Sequence, residues 1–188
     1  LDKPLVVSVW GSLGAENMNE VMCRFIELAG KKPGFTLVHS AGIEGYEKMV
    51  EHLRRTVPDY EKNGMDVREY IYDMPRVMAA ADLVLCRAGA STISELTYMH
   101  KPTIFVPSPF VTNNHQFKNA KVVEDAGGAL IFEEGWFEPK ELLKAVNDIL
   151  SSDDKLEKMS AAMAKLAKPE ATDMICDRIF SLLAENRK

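Results

Sequence analysis

Apolar positions along this chain follow two alternating spacings. Short continuous apolar runs have the length of buried strands, and longer runs repeat an apolar residue every three or four positions, as helices do. The strand-like runs are residues 5–9, 35–39, 67–71, 83–86, 103–106 and 129–132. The helix-like runs are residues 17–29, 46–56, 92–99, 116–126, 139–150, 155–166 and 172–184, with a short helical turn at 75–80. This alternation predicts a Rossmann-like α/β fold, a doubly wound parallel sheet of about six strands with helices on both faces.

Composition narrows the class of protein. The chain has 188 residues, 46% hydrophobic and 27% charged, which indicates one globular domain with a single sizeable core. The net charge of −5 argues against a nucleic-acid-binding surface. Cys23, Cys86 and Cys176 are odd in number and far apart, which predicts buried thiols in a reducing cytoplasm. We see no signal peptide and no apolar run of membrane-spanning length.

The most informative segment is residues 86–95, CRAGASTISE, which joins a strand-like run to a helix-like run. Small residues after a buried strand let a ligand approach the backbone, and the helix start offers free N–H groups and a positive dipole end to an anion. Glu95 lies one helical turn further on, and a carboxylate suits a sugar diol because both oxygens accept hydrogen bonds. We interpret the segment as a nucleotide-binding site in which the backbone contacts the phosphates and Glu95 contacts the ribose.

The same residues also fit a capping box, in which Thr92 would cap the helix and Glu95 would reach back to the Thr92 amide. A second loop of the same kind favours the nucleotide interpretation. Gly11 and Gly14 lie in the segment WGSLGA, between the first strand and the first helix. Glycine there permits a tight turn and close backbone approach, and the absence of Lys excludes a Walker A loop.

A third polar loop follows the strand at 103–106. Its end, residues 113–116, places two Asn, one His and one Gln at a helix start. Such groups suit neutral hydroxyls and N-acetyl amides, because amide and imidazole side chains both donate and accept hydrogen bonds. Plain N-capping by Asn is the alternative. We expect no acidic partner for His39, His52 and His100, and we interpret them as surface or strand-end residues.

Four motifs occur in a fixed order: GSLGA at 11–15, YIYDMP at 70–75, AADLVLCRAGASTISE at 80–95 and NHQFKNA at 114–120. Together they resemble the donor-binding half of the MurG family of bacterial GT-B glycosyltransferases, over nearly the whole chain. These enzymes transfer N-acetylglucosamine from UDP-N-acetylglucosamine to lipid I, forming lipid II for peptidoglycan, on which cell shape and division depend. The resemblance implies that residues 1–188 are one UDP-sugar-binding domain, the C-terminal half of a two-domain enzyme without its N-terminal acceptor domain.

The resemblance also implies a role for each matching residue. The Ile71 backbone would read uracil, Glu95 would hold the ribose hydroxyls, and Ala90, Ser91 and Thr92 would donate hydrogen bonds to the diphosphate. Gly11, Ser12 and Gly14 would line the same phosphate region, while His115 and Gln116 would contact the N-acetylglucosamine hydroxyls and Asn119 would support their loop. Two departures weaken the glycine-loop assignment: Trp10 replaces the usual first Gly, and Leu13 replaces a Gln.

The reaction implied by the resemblance is inverting and independent of metal. Its leaving UDP needs stabilisation of negative charge, and the chain has no Asp-x-Asp motif to hold a metal; we interpret Asp153 and Asp154 as a helix N-cap. Backbone amides would carry the charge, and Arg87 would be either a further contact or a structural ion pair. We expect no cofactor and no catalytic residue in this chain.

The general base and the lipid-facing surface would belong to the N-terminal domain, so this chain alone would bind donor without transferring sugar. The full-length enzyme would be cytoplasmic and peripheral at the cytoplasmic face of the membrane.

Three alternatives remain. The chain could be a stand-alone donor subunit of a two-chain UDP-N-acetylglucosamine transferase. It could be a GT-B UDP-N-acetylglucosamine epimerase, which would need acid and base carboxylates at the sugar, where the motifs supply only Glu95. It could also be a flavodoxin-like signalling module, for which the first strand should end in an acidic cluster where this chain has Trp10.

Overall fold

A computed structural model describes residues 3–11, 14–31 and 33–185. Six strands form one sheet in which every neighbouring pair is parallel: β1 (Leu5–Val9), β2 (Thr36–Ser40), β3 (Met65–Arg68), β4 (Leu83–Cys86), β5 (Thr103–Phe105) and β6 (Ala129–Ile131). Their order is β3-β2-β1-β4-β5-β6. The order changes direction between β1 and β4, the position at which doubly wound sheets bind ligands beyond the strand ends.

Helices cover both faces of this sheet. They are α1 (Glu16–Ala29), α2 (Tyr46–Thr56), α3 (Met74–Ala80), α4 (Ala90–Tyr98), α5 (His115–Asp125), α6 (Pro139–Leu150), α7 (Asp153–Leu166) and α8 (Ala171–Glu185), with a 3-10 turn at Thr112–Asn114. Successive strand residues point to opposite faces, so Val6 packs in a core with α1, α2 and α6, and Val7 packs in a second core with α3, α4, α5 and α7. The predicted doubly wound fold is confirmed.

Two observed boundaries differ from their predicted positions next to residues that were predicted to bind a ligand. The third strand ends at Arg68 and not at residue 71, because only residues 65–68 pair with β2. Helix α4 begins at Ala90, two residues before Thr92.

The start of α7 also differs from the prediction. The N-cap is Ser152, whose Oγ accepts a hydrogen bond from the Lys155 amide at 3.3 Å, so the prediction that Asp153 and Asp154 form the cap is wrong. Both carboxylates lie in the first turn, where their negative charge interacts favourably with the positive end of the helix dipole.

The three histidines interpreted as surface or strand-end residues differ in burial: His100 is exposed and His52 is partly exposed, whereas His39 lies near the end of β2 but is not at the surface. His39 is fully buried, with Nδ1 3.0 Å from Ser8 Oγ and Nε2 3.2 Å from Asn19 Oδ1. Burial lowers the pKa of His39 to about 3, because the charged imidazole would lose its hydration. His52 has an acidic partner after all, since its Nε2 lies 2.8 Å from Glu27 Oε1 on the neighbouring helix.

The cysteines divide into two kinds. Cys23 and Cys86 are buried as predicted, and burial raises the pKa of both thiols, that of Cys23 to about 11. Cys176 is exposed on α8, so that part of the prediction is wrong. No residue of α8 is buried, although the helix carries Ile175, Ile179 and other apolar side chains.

Among the described residues, none of the helices combines the length and the apolar character needed to cross a membrane.

Candidate functional site

A cavity of about 680 Å³ opens beside β1 and β4, at the carboxyl ends of the strands. The loops after β1, β3, β4, β5 and β6 all contribute to its wall, so the three loops singled out in the sequence do meet in one place. Five predicted binding residues line this cavity: Gly11, Gly14, Thr92, Glu95 and Gln116. The cavity is therefore the candidate functional site.

The start of α4 faces this cavity with its backbone donors free. Gly89 is the N-cap in an extended conformation, and no side chain caps the helix. The N–H groups of Ala90, Ser91 and Thr92 donate to none of the described residues. The capping-box alternative is wrong, because the helix begins two residues too early for Thr92 to be its cap. Free N–H groups and the helix dipole instead make this a place for an anion.

The Glu95 carboxylate is available to a ligand. It projects into the cavity from α4 and forms no hydrogen bond or ion pair with any described residue. Another carboxylate of the wall is differently placed: Glu16 Oε1 lies 2.7 Å from Lys48 Nζ, and this contact lowers the pKa of Glu16. Glu95 can therefore accept two hydrogen bonds from neighbouring hydroxyls without first breaking one within the protein.

Ile71 lies just beyond the sheet, in the turn between β3 and α3. Its side chain is buried, and its backbone N–H and C=O form no hydrogen bond with the described residues. Because β3 ends at Arg68, this backbone is free of the strand ladder and can pair with the edge of a planar ring. Ile71 does not line the cavity itself, but Tyr70 does, and its ring lies 5.0 Å from that of Tyr72.

The two residues predicted to contact the sugar, at the end of the loop before α5, differ in their position relative to the cavity. Gln116 lines the cavity and its Oε1 accepts a hydrogen bond from the Ser108 amide at 2.9 Å. His115 is exposed and does not line the cavity; its Nδ1 lies 3.0 Å from the Thr112 carbonyl. Asn114 is the N-cap residue, but its φ of 51° is left-handed and its side chain caps nothing, so plain N-capping by Asn is wrong.

Asn119 supports a loop other than the one predicted. Its Nδ2 donates a hydrogen bond to the Ala88 carbonyl at 3.2 Å, which ties α5 to the segment between β4 and α4. This hydrogen bond does not support the loop at residues 107–116, which was the predicted role of Asn119. The contact instead fixes the start of α4, where the free N–H groups lie.

The glycine loop approaches its neighbours closely. Gly14 has a φ of 83°, and a Cβ there would overlap the Ala41 carbonyl oxygen. Gly11 has a φ of 110° with open space around it. The predicted contact Ser12, and Leu13 beside it, lie outside the described residues.

Comparison with known proteins identifies the family. Residues 5–175 match the description "Glycosyltransferase family 28 C-terminal domain". The chain belongs to this family. Two relatives are named UDP-N-acetylglucosamine--N-acetylmuramyl-(pentapeptide) pyrophosphoryl-undecaprenol N-acetylglucosamine transferase. The one from Acetivibrio thermocellus is 35% identical over 97% of this chain and 48% of its own length, and the one from Caldicellulosiruptor saccharolyticus is 39% identical over 93% and 46%. The chain thus spans about half the length of the curated relatives it matches.

Comparison with solved structures supports the assignment to this family. The crystal structure of Acinetobacter baumannii MurG matches with a TM-score of 0.81 and 28% identity, over 96% of this chain and 51% of that one. The resemblance to the MurG family is confirmed. A UDP-GlcNAc 2-epimerase from Neisseria meningitidis bound to UDP-GlcNAc matches with a TM-score of 0.67 and 14% identity, over 96% and 44%, which shows a shared fold alone.

Further residues of the family 28 domain line the cavity. Among them are Trp10, Tyr70, Phe110 and Glu134, which were not predicted to bind, and Arg87, for which a phosphate contact was one of two interpretations. Trp10 and Arg87 carried a sequence signal, as a departure from the glycine loop and as a basic residue at a strand end. Nothing in the sequence indicated Glu134, because its place in the wall depends on a loop after β6 that folds back over β5.

Proposed function

We propose that this domain binds UDP-N-acetylglucosamine as the donor in the transfer of N-acetylglucosamine to lipid I, which forms lipid II for peptidoglycan. The observation that carries the proposal is the free Glu95 carboxylate, which shares one cavity with the uncapped start of α4. A ribose diol and a diphosphate are adjacent in a nucleotide diphosphate, and these two features match them in kind. The activity for which the two relatives are named supports the same donor.

Each predicted contact has a place in this proposal. The Ile71 backbone pairs with uracil, Glu95 holds the ribose hydroxyls, and the amides of Ala90, Ser91 and Thr92 bind the diphosphate beside Gly11, Ser12 and Gly14. Gln116 contacts the sugar. His115 reaches a ligand only if its imidazole turns from the Thr112 carbonyl to the cavity, so we propose Gln116 as the principal contact of the pair.

The transfer we propose is inverting and needs no metal. As the bond from the sugar to the diphosphate breaks, negative charge grows on the leaving UDP, and backbone donors fixed at a helix start stabilise that charge without reorganising. The described residues contain no group of three His, Cys, Asp or Glu side chains that could hold a metal ion. The described part of the cavity wall supplies amides for this task, together with one cationic side chain, Arg87.

We further propose that this domain works with a separate acceptor-binding domain. The chain spans about half of its curated relatives, and the acceptor hydroxyl needs a general base within hydrogen-bond reach. In this proposal the base, the lipid I site and the peripheral contact with the cytoplasmic face of the membrane belong to that other domain. The chain alone then binds donor but transfers no sugar.

Calorimetric titration with UDP-N-acetylglucosamine in EDTA tests the proposal. We expect metal-independent binding, weaker binding of UDP-glucose, and a loss of about tenfold or more in the Glu95→Ala variant, the size of one or two hydrogen bonds to a charged group. The matched control is Glu51→Ala, which removes an exposed carboxylate from α2, away from the cavity. The Glu95→Ala substitution should weaken the binding of a 2′-deoxy analogue of UDP less than it weakens the binding of UDP, because the analogue lacks one of the hydroxyls that Glu95 would hold.

Failure of the folded chain to bind UDP-N-acetylglucosamine would overturn the proposal. Equal losses in Glu95→Ala and Glu51→Ala would overturn the assigned role of Glu95. Conversion of UDP-N-acetylglucosamine to its 2-epimer by the chain alone, followed by NMR, would instead support the epimerase alternative.

A further inference from the structure

Three side chains from distant parts of the sequence meet at one wall of the cavity. Trp10 follows β1, Arg87 follows β4, and Glu134 lies in the loop after β6; all three line the cavity. Arg87 Nη1 lies 2.6 Å from Glu134 Oε2 and also donates a hydrogen bond to the Val106 carbonyl at 2.9 Å. The guanidinium carbon lies 5.8 Å from the centre of the Trp10 ring.

These contacts fix one side of the guanidinium and leave the other open. Both contacts use Nη1, while Nε and Nη2 have no hydrogen-bond partner among the described residues and are not buried. The Arg87 side chain keeps 14% of its surface exposed at the cavity wall. A planar guanidinium held by one nitrogen presents the remaining N–H groups as a fork that matches phosphate oxygens.

The residues that hold Arg87 are themselves fixed. The Glu134 side chain is 8% exposed, and its second oxygen, Oε1, accepts a hydrogen bond from Asn17 Nδ2 at 3.2 Å. Trp10 is 3% exposed. Both are too well packed to change rotamer freely, so they restrict the positions that Arg87 can take.

The charges of the cavity explain why the position of Arg87 matters. The described residues that line the cavity include the carboxylates Glu16, Glu95 and Glu134 and one cationic side chain, Arg87. Among the described residues that line the cavity, Arg87 is the one side-chain cation that attracts a diphosphate, and it must lie close to the phosphate oxygens to do so.

We propose that Glu134 and Trp10 are positioning residues, which hold the Arg87 guanidinium at the cavity wall with its open N–H groups turned to the donor diphosphate. The structure shows the ion pair that was one interpretation of Arg87 from the sequence, and in this proposal the ion pair sets up the phosphate contact that was the other. This inference rests on the proposed function and assigns a task to two residues outside the predicted site.

A double-mutant cycle on UDP affinity tests it. The variants are Arg87→Met, Glu134→Gln and Trp10→Leu, each compared with wild type by calorimetry with UDP and by NMR titration with uridine at millimolar concentration. The control is Glu133→Gln, which changes the neighbouring glutamate, exposed and outside this cavity. Thermal unfolding of each variant verifies the fold, and Glu134→Asp replaces Glu134→Gln should the latter not fold.

We expect Arg87→Met to weaken UDP about tenfold or more, as loss of hydrogen bonds to a charged group does, with uridine unchanged. Glu134→Gln and Trp10→Leu should each weaken UDP several-fold in wild type and have no further effect in the Arg87→Met background, because their effect passes through Arg87. Glu133→Gln should match wild type.

Two results would overturn the inference. One is an effect of Glu134→Gln that is as large in Arg87→Met as in wild type, or that is equal for uridine and UDP. The other is UDP affinity that does not change in Glu134→Gln. Either result leaves the proposed function standing, provided wild type binds UDP-N-acetylglucosamine; absence of that binding is the separate failure of the function itself.

Discussion

Gln116 Oε1 accepts a hydrogen bond from the backbone amide of Ser108 at 2.9 Å, across the loop that joins β5 to α5. The contact fixes the orientation of the side-chain amide, since an N–H donor requires the oxygen on its side. The Nε2 group, which has no partner among the described residues, therefore remains to donate hydrogen bonds into the cavity. In the proposed function, one side chain thus both shapes the loop and contacts the sugar.

This orientation predicts the effect of Gln116→Glu. The carboxylate keeps an acceptor for the Ser108 amide but loses the donor to the sugar, so the ratio of UDP-N-acetylglucosamine affinity to UDP affinity should fall about three- to tenfold, the size of one hydrogen bond. Calorimetry with both ligands measures the ratio, which cancels the repulsion that the new charge exerts on either diphosphate. An unchanged ratio would remove Gln116 from the sugar site.

His39 predicts how stability depends on pH. Its pKa is about 3 in the folded protein and near 6.5 in an unfolded chain, so the unfolded state binds the proton first as the pH falls. The stability that the neutral buried imidazole provides is complete above pH 6.5 and is lost between pH 6.5 and 3. By pH 4.5 the loss should reach about 2–3 kcal/mol, at 1.36 kcal/mol per pH unit.

Urea unfolding of wild type and His39→Gln at pH 7.5 and 4.5 measures this loss. The wild type should be the more stable at pH 7.5, and the gap in unfolding free energy should narrow as the pH falls, because only the wild type carries the buried imidazole. His115→Gln, which removes an exposed imidazole, is the control. A gap between wild type and His39→Gln that is the same at both pH values would contradict the prediction.

Gly14→Ala should destabilise the protein more than Gly11→Ala. Both glycines have a left-handed φ, which costs about 1–2 kcal/mol for an alanine. At Gly14 the new Cβ would also overlap the Ala41 carbonyl oxygen, and the backbone shift that relieves this should add about 1–3 kcal/mol. Urea unfolding at neutral pH compares the two variants; equal losses would contradict the expected overlap with the Ala41 carbonyl oxygen.

Thiol reactivity should separate Cys176 from the other cysteines. Cys176 is exposed on α8, while Cys23 and Cys86 are buried with raised pKa values and little thiolate at neutral pH. A thiol reagent such as DTNB should modify one cysteine of the native chain rapidly and all three after denaturation. Cys176→Ser should abolish the rapid phase; a rapid phase that persists in this variant would show that Cys23 or Cys86 is accessible.

The spacing of apolar residues alone determined most of the architecture. The predicted runs at 5–9, 83–86, 46–56 and 139–150 coincide with β1, β4, α2 and α6. Burial on one face of a helix imposes a local period, and burial on both faces of a parallel strand imposes a short continuous apolar run. The motifs were sufficient to indicate three loops with one chemistry, since small residues and free amides at strand ends are local features too. Glu95 could be proposed on that basis.

The tertiary structure decided which side chains meet. His39 contacts Ser8 and Asn19, and Arg87 contacts Glu134, and in each case the partners are 20 or more residues apart in the sequence. Such partners depend on strand order, on register and on how each loop folds back over its neighbour, and no local period records them. The same applies to the boundary of α4: only the observed start at Ala90 separates a free Glu95 from a capping glutamate. Local pattern therefore determines the elements and their order along the chain, while packing between distant elements determines the site.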